Sequence, residues 1–346
     1  MTQIFDRILE DKSIGWDSLD GSSILITGGT GLVGSMITKA LLEYNKASGG
    51  NIRITLPVRN LSRAYDLFGS DTKQLNIIEY DLTSGSPIPG RYDYIIHGAS
   101  VTSSAVMITD PVGTIDLAYG GTKKMLDLAR ASEVKGMVYL SSMEVYGITD
   151  GSMNPITEEK LGFVSLSDVR SSYNEGKRIC ELLSVSYYHE YDVPVVIARL
   201  AQTFGPGVRK DDGRIYSQFA GSIMEGTDIV LHTEGRSVGN YCDIRDTVAA
   251  VLCLLTNGKR GAAYNVVNED NTCTIRNMAL MCASKIADGK INVIFDIPES
   301  NSYGYAPDTG MELSSAKLRS LGWAPSYSLE DMYRSLIEYR KCEGNT

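Results

Sequence analysis

The stretch "SSILITGGTGLVGSMITKALLEY" joins a short apolar run to a segment of helical periodicity through a loop containing Gly28, Gly31 and Gly34. Glycines between a strand and a helix permit a tight turn. They also let the backbone approach a pyrophosphate and let the helix pack closely on the strand, while the helix N-terminus favours negative charge. The runs "NIRITLPV", "LNIIEYDL", "YDYIIHGAS", "KGMVYLSS" and "VPVVIARLAQTFGPG" are further strand candidates, separated by helical patterns such as "GGTKKMLDLARAS" and "YNEGKRICELLSVSYYHEY". Strand alternating with helix predicts βαβ units and a parallel sheet, hence an α/β fold.

From about Gly207 the alternation loosens into loops and helices, closing with a helix near "LEDMYRSLIEYRK". The expected organisation is a doubly wound dinucleotide-binding domain over 20–206, rejoined by 240–268, where "AAYNVVN" could return to the main sheet. A smaller, mostly helical substrate domain takes 207–239 and 269–340, and a short helix over 3–11 precedes the first strand. A net charge of −9 with no basic block argues against a nucleic-acid surface. Six cysteines without a CxxC pair suggest neither a disulfide framework nor a zinc site, and three histidines leave little for a metal centre. No apolar run is long enough for a membrane span, and the charged, amphipathic start carries no signal-like core, so a cytosolic protein is expected.

After the second strand, where an acidic residue usually binds the adenosine ribose, the sequence offers Arg59 and Arg63. An arginine there accommodates a 2′-phosphate, which favours NADP over NAD. Asp81 and Leu82 end the third strand, where a carboxylate could reach the adenine amino group or simply cap a turn. Farther on, "SSYNEGKRICE" places Tyr173 and Lys177 one helical turn apart on one face. An ammonium beside a phenol favours the phenolate and lowers a pKa normally near ~10. Such a phenol can exchange a proton with a sugar hydroxyl while a nicotinamide takes or gives the hydride.

With these motifs the chain resembles the extended short-chain dehydrogenase/reductases, and among them the nucleotide-sugar epimerases, dehydratases and UDP-glucuronate decarboxylases. The likeness runs through "ITGGTGLVG", "DYIIHGAS", "YLSSMEVYG", "SSYNEGK", "ARLAQTFGPG", "DDGRIYSQF", "NYCDIRD" and "LGWAPSYSLED". It implies a Rossmann domain carrying tightly bound NAD or NADP, a small domain closing over a nucleotide sugar, and a homodimer. It makes Ser142, Tyr173 and Lys177 the catalytic set. It adds Thr30, Leu32, Gly98, Ala99 and Ser100 to the coenzyme-binding residues, together with Tyr173 and Lys177 themselves.

The residues after Ser142 narrow the chemistry. Where the 4,6-dehydratases of this family carry an aspartate that protonates the leaving hydroxyl, this chain has Met143, which cannot donate a proton. Glu144 remains as a candidate base. On the substrate side the arginine usual before the aromatic of "NYCDIRD" is replaced by Gly239, and the asparagine of the "RLAQTFGP" motif by Gln202. The late phosphate-clamping arginine has no clear counterpart in "NSYGYAPDTG". Gln202, Arg214, Arg236 and Arg245 are the candidate substrate contacts, though Arg245 could equally serve a nearby carboxylate. The expected activity is oxidation of a ring hydroxyl to a ketone, followed by epimerisation or decarboxylation. The rivals are a reductase that consumes NADPH on a keto-sugar or other carbonyl, and a catalytically silent dinucleotide sensor.

Overall fold

The structure is a computed structural model that describes residues 4–298 and 308–343. Seven strands form one parallel sheet: β1 (Ser23–Thr27), β2 (Arg53–Val58), β3 (Leu75–Glu79), β4 (Tyr94–His97), β5 (Gly136–Ser142), β6 (Val195–Leu200) and β10 (Ala263–Val266). Their order across the sheet is β3-β2-β1-β4-β5-β6-β10, and every pairing is parallel. The order reverses between β1 and β4, which opens a crevice at the carboxyl ends of those two strands.

Side-chain alternation along β1 explains the two covering layers. Ile24 and Ile26 face a core shared with Ile37 and Leu41 of the helix Leu32–Ser48 and with Val248 and Leu252 of the helix Ile244–Asn257. Leu25 faces the opposite core, with Met125 and Leu126 of the helix Pro111–Ser132 and Cys180 and Tyr187 of the helix Ser171–Tyr191. Buried on both sides, the strands read as continuous apolar runs. The fold is the expected doubly wound α/β Rossmann type.

The C-terminal part holds the helices Ile215–Glu225, Ile275–Met281 and Leu329–Glu343, and also two small sheets that the loosened pattern did not announce. One is β11 (Asn268–Thr274), β9 (Val238–Asp243) and β7 (Gln202–Phe204); the other pairs β12 (Val293–Phe295) with β8 (Ile229–Leu231). These strands are mostly three residues long, too short for a period of two to show. Phe204 sits at the middle of this part's core, stacked on Tyr216 at 4.4 Å and edge-on to Tyr333 at 5.1 Å. Before β1 the described residues form two short helices, Asp6–Leu9 and Trp16–Leu19.

Candidate active site

The glycine loop lies at the crevice. Gly28 has φ +73, and a Cβ there would stand 2.7 Å from the carbonyl carbon of Gly98 at the end of β4. A Cβ on Gly34 would stand 2.4 Å from the Gly28 carbonyl oxygen. Gly31 donates its N–H to that same oxygen at 2.9 Å and caps the helix that begins at Leu32. Side chains here would push apart three backbone segments, so the loop forms a cradle at the N-terminus of the helix that starts at Leu32, with the Gly98 and Ala99 backbone against Gly28. A dinucleotide pyrophosphate fits such a cradle.

Two arginines flank it. Arg63 donates to the Thr30 carbonyl at 3.0 Å and so braces the loop. Arg59 is exposed and close enough to help hold the Asp81 carboxyl below its ordinary range, although Thr83 does most of this through its backbone N–H at 2.8 Å. Asp81 is thus at least a turn cap. Leu82 is buried, and its carbonyl accepts from Lys124 at 2.9 Å.

The catalytic candidates converge at the end of β5. The Ser142 side chain accepts the Glu144 N–H at 3.2 Å and starts the tight turn Met143–Tyr146. Its hydroxyl also faces the Tyr173 phenol, as does Glu144. Lys177 is buried, its Nζ 5.7 Å from the centre of the Tyr173 ring and donating to the Leu140 carbonyl at 2.7 Å. The expected depression of the Tyr173 pKa is not what the structure gives. Burial pushes the phenol up to about 12, partly opposed by Ser142, while Arg170 and Arg214 also draw it down. Burial likewise draws Lys177 down to about 8. Desolvation penalises each charge more than its neighbours favour it.

Glu144 is half-exposed and held from two sides. Arg170 donates to its Oε2 at 3.3 Å, and Asn174 donates to the same oxygen at 3.2 Å and to the Glu144 carbonyl at 2.8 Å. Neither Arg170 nor Asn174 was singled out from sequence. The available signal was position: one lies a helical turn before Tyr173 and the other directly after it.

A buried network supports the strand end from behind. Ser141 donates to Glu181 at 2.5 Å, and Arg199 binds both oxygens of that carboxylate. Arg199 also donates to the Tyr146 hydroxyl at 3.0 Å, and Tyr146 donates to Asn265 of β10 at 2.6 Å. Breaking a buried pair of this kind typically costs about 3–5 kcal/mol.

A sequence model of the NAD dependent epimerase/dehydratase family matches residues 24–268, most of the chain. The chain belongs to that family. UDP-glucuronic acid decarboxylase 6 of Arabidopsis thaliana is 29% identical over 310 residues, spanning 89% of this chain and 85% of that protein. UDP-glucuronic acid decarboxylase 1 of Xenopus tropicalis is 28% identical over 325 residues, spanning 94% and 73%. Among solved structures, the UDP-glucose 4-epimerase of Thermotoga maritima superposes with a TM-score of 0.77 at 19% identity, over 93% of this chain and 99% of that one. An epimerase of Methanothermobacter thermautotrophicus gives 0.78 at 21% identity, over 99% and 97%. These structures share the fold of this family member.

The substrate-side candidates divide. Gln202 is exposed on β7. Arg214 forms a two-point pair with Asp212, lies 5.1 Å over the Tyr216 ring, and its charge reaches Tyr173. Arg236 is an exposed partner of Glu234 at 3.5 Å, and no hydrogen bond or ion pair among the described residues links it to the catalytic cluster. Arg245 takes the carboxylate partnership that the sequence also allowed: its guanidinium binds the fully buried Asp243 at 2.8 Å and stacks 3.4 Å from the Tyr327 ring centre. A Cβ on Gly239 would stand 2.3 Å from the Tyr241 hydroxyl, so an arginine there would require the buried Tyr241 ring to move. Most of "NSYGYAPDTG" lies outside the described residues.

Proposed function

We propose that this chain is an NAD(P)-dependent enzyme that oxidises a ring hydroxyl of a nucleotide-activated sugar transiently and then epimerises or decarboxylates the keto-sugar. The observation that carries the reading is the convergence of Ser142, Tyr173 and Lys177 at a strand end in the same sheet whose switch point holds the glycine cradle. When bound, the coenzyme's nicotinamide would supply the hydride acceptor and donor.

The chain's own residues handle the proton. Ser142 offers a hydroxyl to the sugar oxygen, and Tyr173 exchanges the proton of that oxygen. Burial leaves the phenol at about 12 even with Arg170 and Arg214 drawing it down, so it rests protonated near neutral pH, and those two cations favour its ionised form. Lys177 orients the pair from the Leu140 carbonyl. Met143 supplies no acid for dehydration. Arg214 is the cation that we assign to the substrate's diphosphate, and Gln202 lines its approach.

The first substrate to test is UDP-glucuronic acid, the compound named for the sequence relatives. The purified protein, given NAD or NADP, should convert it to a product of changed mass or changed ring stereochemistry, with transient absorbance of the reduced coenzyme. No conversion of UDP-glucuronic acid or UDP-glucose, with neither coenzyme bound, would defeat the reading. Arg59 and Arg63 favour NADP as the coenzyme. They also support a second reading, net reduction of a carbonyl by NADPH, which would release oxidised coenzyme every cycle.

Two further assignments go with the proposal. Val112, Ile115 and Tyr119 on one helix and Ile179 and Leu182 on its neighbour leave an exposed apolar stripe at helical spacing, which suits a second copy of the chain. All six cysteines are free thiols, which fits a reducing, cytosolic compartment.

A further inference from the structure

The segment from Gly205 to Ser217 carries Arg209, Lys210 and Arg214 between β7 and the helix Ile215–Glu225. Its cationic side chains are largely exposed, yet its backbone is gripped on both flanks. On one flank Gly207, with φ +94, lies so close to the glycine-loop helix that a Cβ would meet the Met36 sulfur at 3.2 Å and Leu32 Cδ1 at 3.3 Å. On the other flank stands Arg340 of the last helix, 2% exposed. Its Nε donates to the Val208 carbonyl at 3.4 Å, and its Nη2 to the Arg209 carbonyl and the Ser217 hydroxyl, each at 2.6 Å. Its Nη1 donates to the Ser217 carbonyl at 3.3 Å.

These four acceptors belong to one short segment, and the Arg340 charge also helps to draw down the Asp212 carboxyl of the same segment. A planar guanidinium with a rigid fork of donors can span such a set, whereas an ammonium cannot. Within the segment, Asp212 accepts from the Arg214 N–H at 3.0 Å and from its Nε at 2.9 Å. The Ser217 N–H in turn donates to the Arg214 carbonyl at 2.9 Å. Where Arg340 places the Arg209 and Ser217 backbone, the Arg214 guanidinium follows, and that guanidinium is the charge from this part of the chain that reaches the Tyr173 phenol.

We propose that Arg340 is a positioning residue for substrate binding, a clamp from the last helix that holds the 205–217 segment so that Arg214 is presented to the catalytic pair. This rests on the assignment of Arg214 to the substrate's diphosphate. Arg340 touches none of the reacting groups. Its loss should therefore appear in the order of the segment and in substrate affinity, and spare the proton-transfer step.

The segment carries its own reporter, because trypsin cuts after Arg209, Lys210 and Arg214. The full-length Arg340→Met variant should be cleaved there about tenfold faster than the parent under native conditions, while it still melts cooperatively. Its affinity for UDP by calorimetry should weaken about tenfold, the equivalent of one charge-assisted contact. With UDP-glucuronic acid, KM should rise by a similar factor and kcat change by less than about threefold. Arg340→Lys and Ser217→Ala should show smaller changes of the same kind, and they carry the comparison if Arg340→Met does not fold. Unchanged cleavage and unchanged UDP affinity in folded variants would overturn the clamp, as would a matched loss of coenzyme binding and kcat, which marks general damage. Arg214→Met separates the two assignments. If it leaves UDP affinity intact, the role of Arg214 falls and the clamp's functional meaning with it. If it weakens UDP while the Arg340 variants do not, only the clamp falls.

Discussion

Arg170 and Glu144 meet at 3.3 Å beside the Tyr173 phenol, and Asn174 holds the same carboxylate oxygen from the other side. Both partners of the ion pair are 39% exposed, so the pair adds at most about 1 kcal/mol to stability. Its value is orientation: a carboxylate is fixed near the Tyr173 phenol, and its charge is balanced where it would otherwise oppose ionisation of Tyr173. If Glu144 removes a proton from the carbon beside the transient ketone, turnover in heavy water should place deuterium at that carbon, and Glu144→Gln should abolish the exchange. Unaltered turnover in that variant, with no exchange in the parent, would make Glu144 structural.

The coenzyme preference is tested at Arg59. NADP should bind at least as tightly as NAD, and Arg59→Ala should weaken NADP by about tenfold while leaving NAD nearly unchanged. Calorimetry showing a strong preference for NAD, insensitive to Arg59→Ala, would remove the argument.

His97 makes a prediction about stability. It is buried, its Nδ1 2.7 Å from the Thr27 hydroxyl and its Nε2 3.2 Å from the Thr122 hydroxyl. Burial, assisted by the charge of Lys177, lowers it to about 3. The unfolded chain takes up the proton near pH ~6.5 and the folded chain resists it. The stability contributed by neutral His97 is therefore complete above about pH 6.5 and is lost as pH falls toward about 3, by an amount on the order of a few kcal/mol. Thermal midpoints measured between these limits should fall with a shallower slope in His97→Gln than in the parent.

The exposed stripe on the paired helices gives a fourth outcome. The parent should be a dimer in light scattering, and Leu182→Glu should yield a monomer with its secondary structure unchanged. A monomeric parent would contradict the assignment of this face.

Much of this was legible in the sequence because it depends on local pattern. Gly28, Gly31 and Gly34 between an apolar run and a helical one locate the cradle, and the spacing of Tyr173 and Lys177 puts both on one helix face. What was not legible depends on distant segments. The resting pKa of Tyr173 reflects burial, which the tyrosine–lysine spacing does not report. The sequence left open whether Arg245 serves a substrate or a carboxylate, and only the fold sets it against both Asp243 and Tyr327, while the contact of Arg340 with Val208 and Ser217 joins residues more than a hundred positions apart. Gly239 was visible as a departure. Its reason, the Tyr241 hydroxyl filling the space, appears only when the strand is built.

The most direct measurement compares single turnovers of the parent and Tyr173→Phe with UDP-glucuronic acid, following reduced-coenzyme absorbance and product mass together. The account predicts that Tyr173→Phe binds coenzyme normally and loses two or more orders of magnitude, at about the scale of general acid–base catalysis, in both signals. Turnover within a few-fold of the parent would show that Tyr173 does not move the proton, and the catalytic assignment would fail.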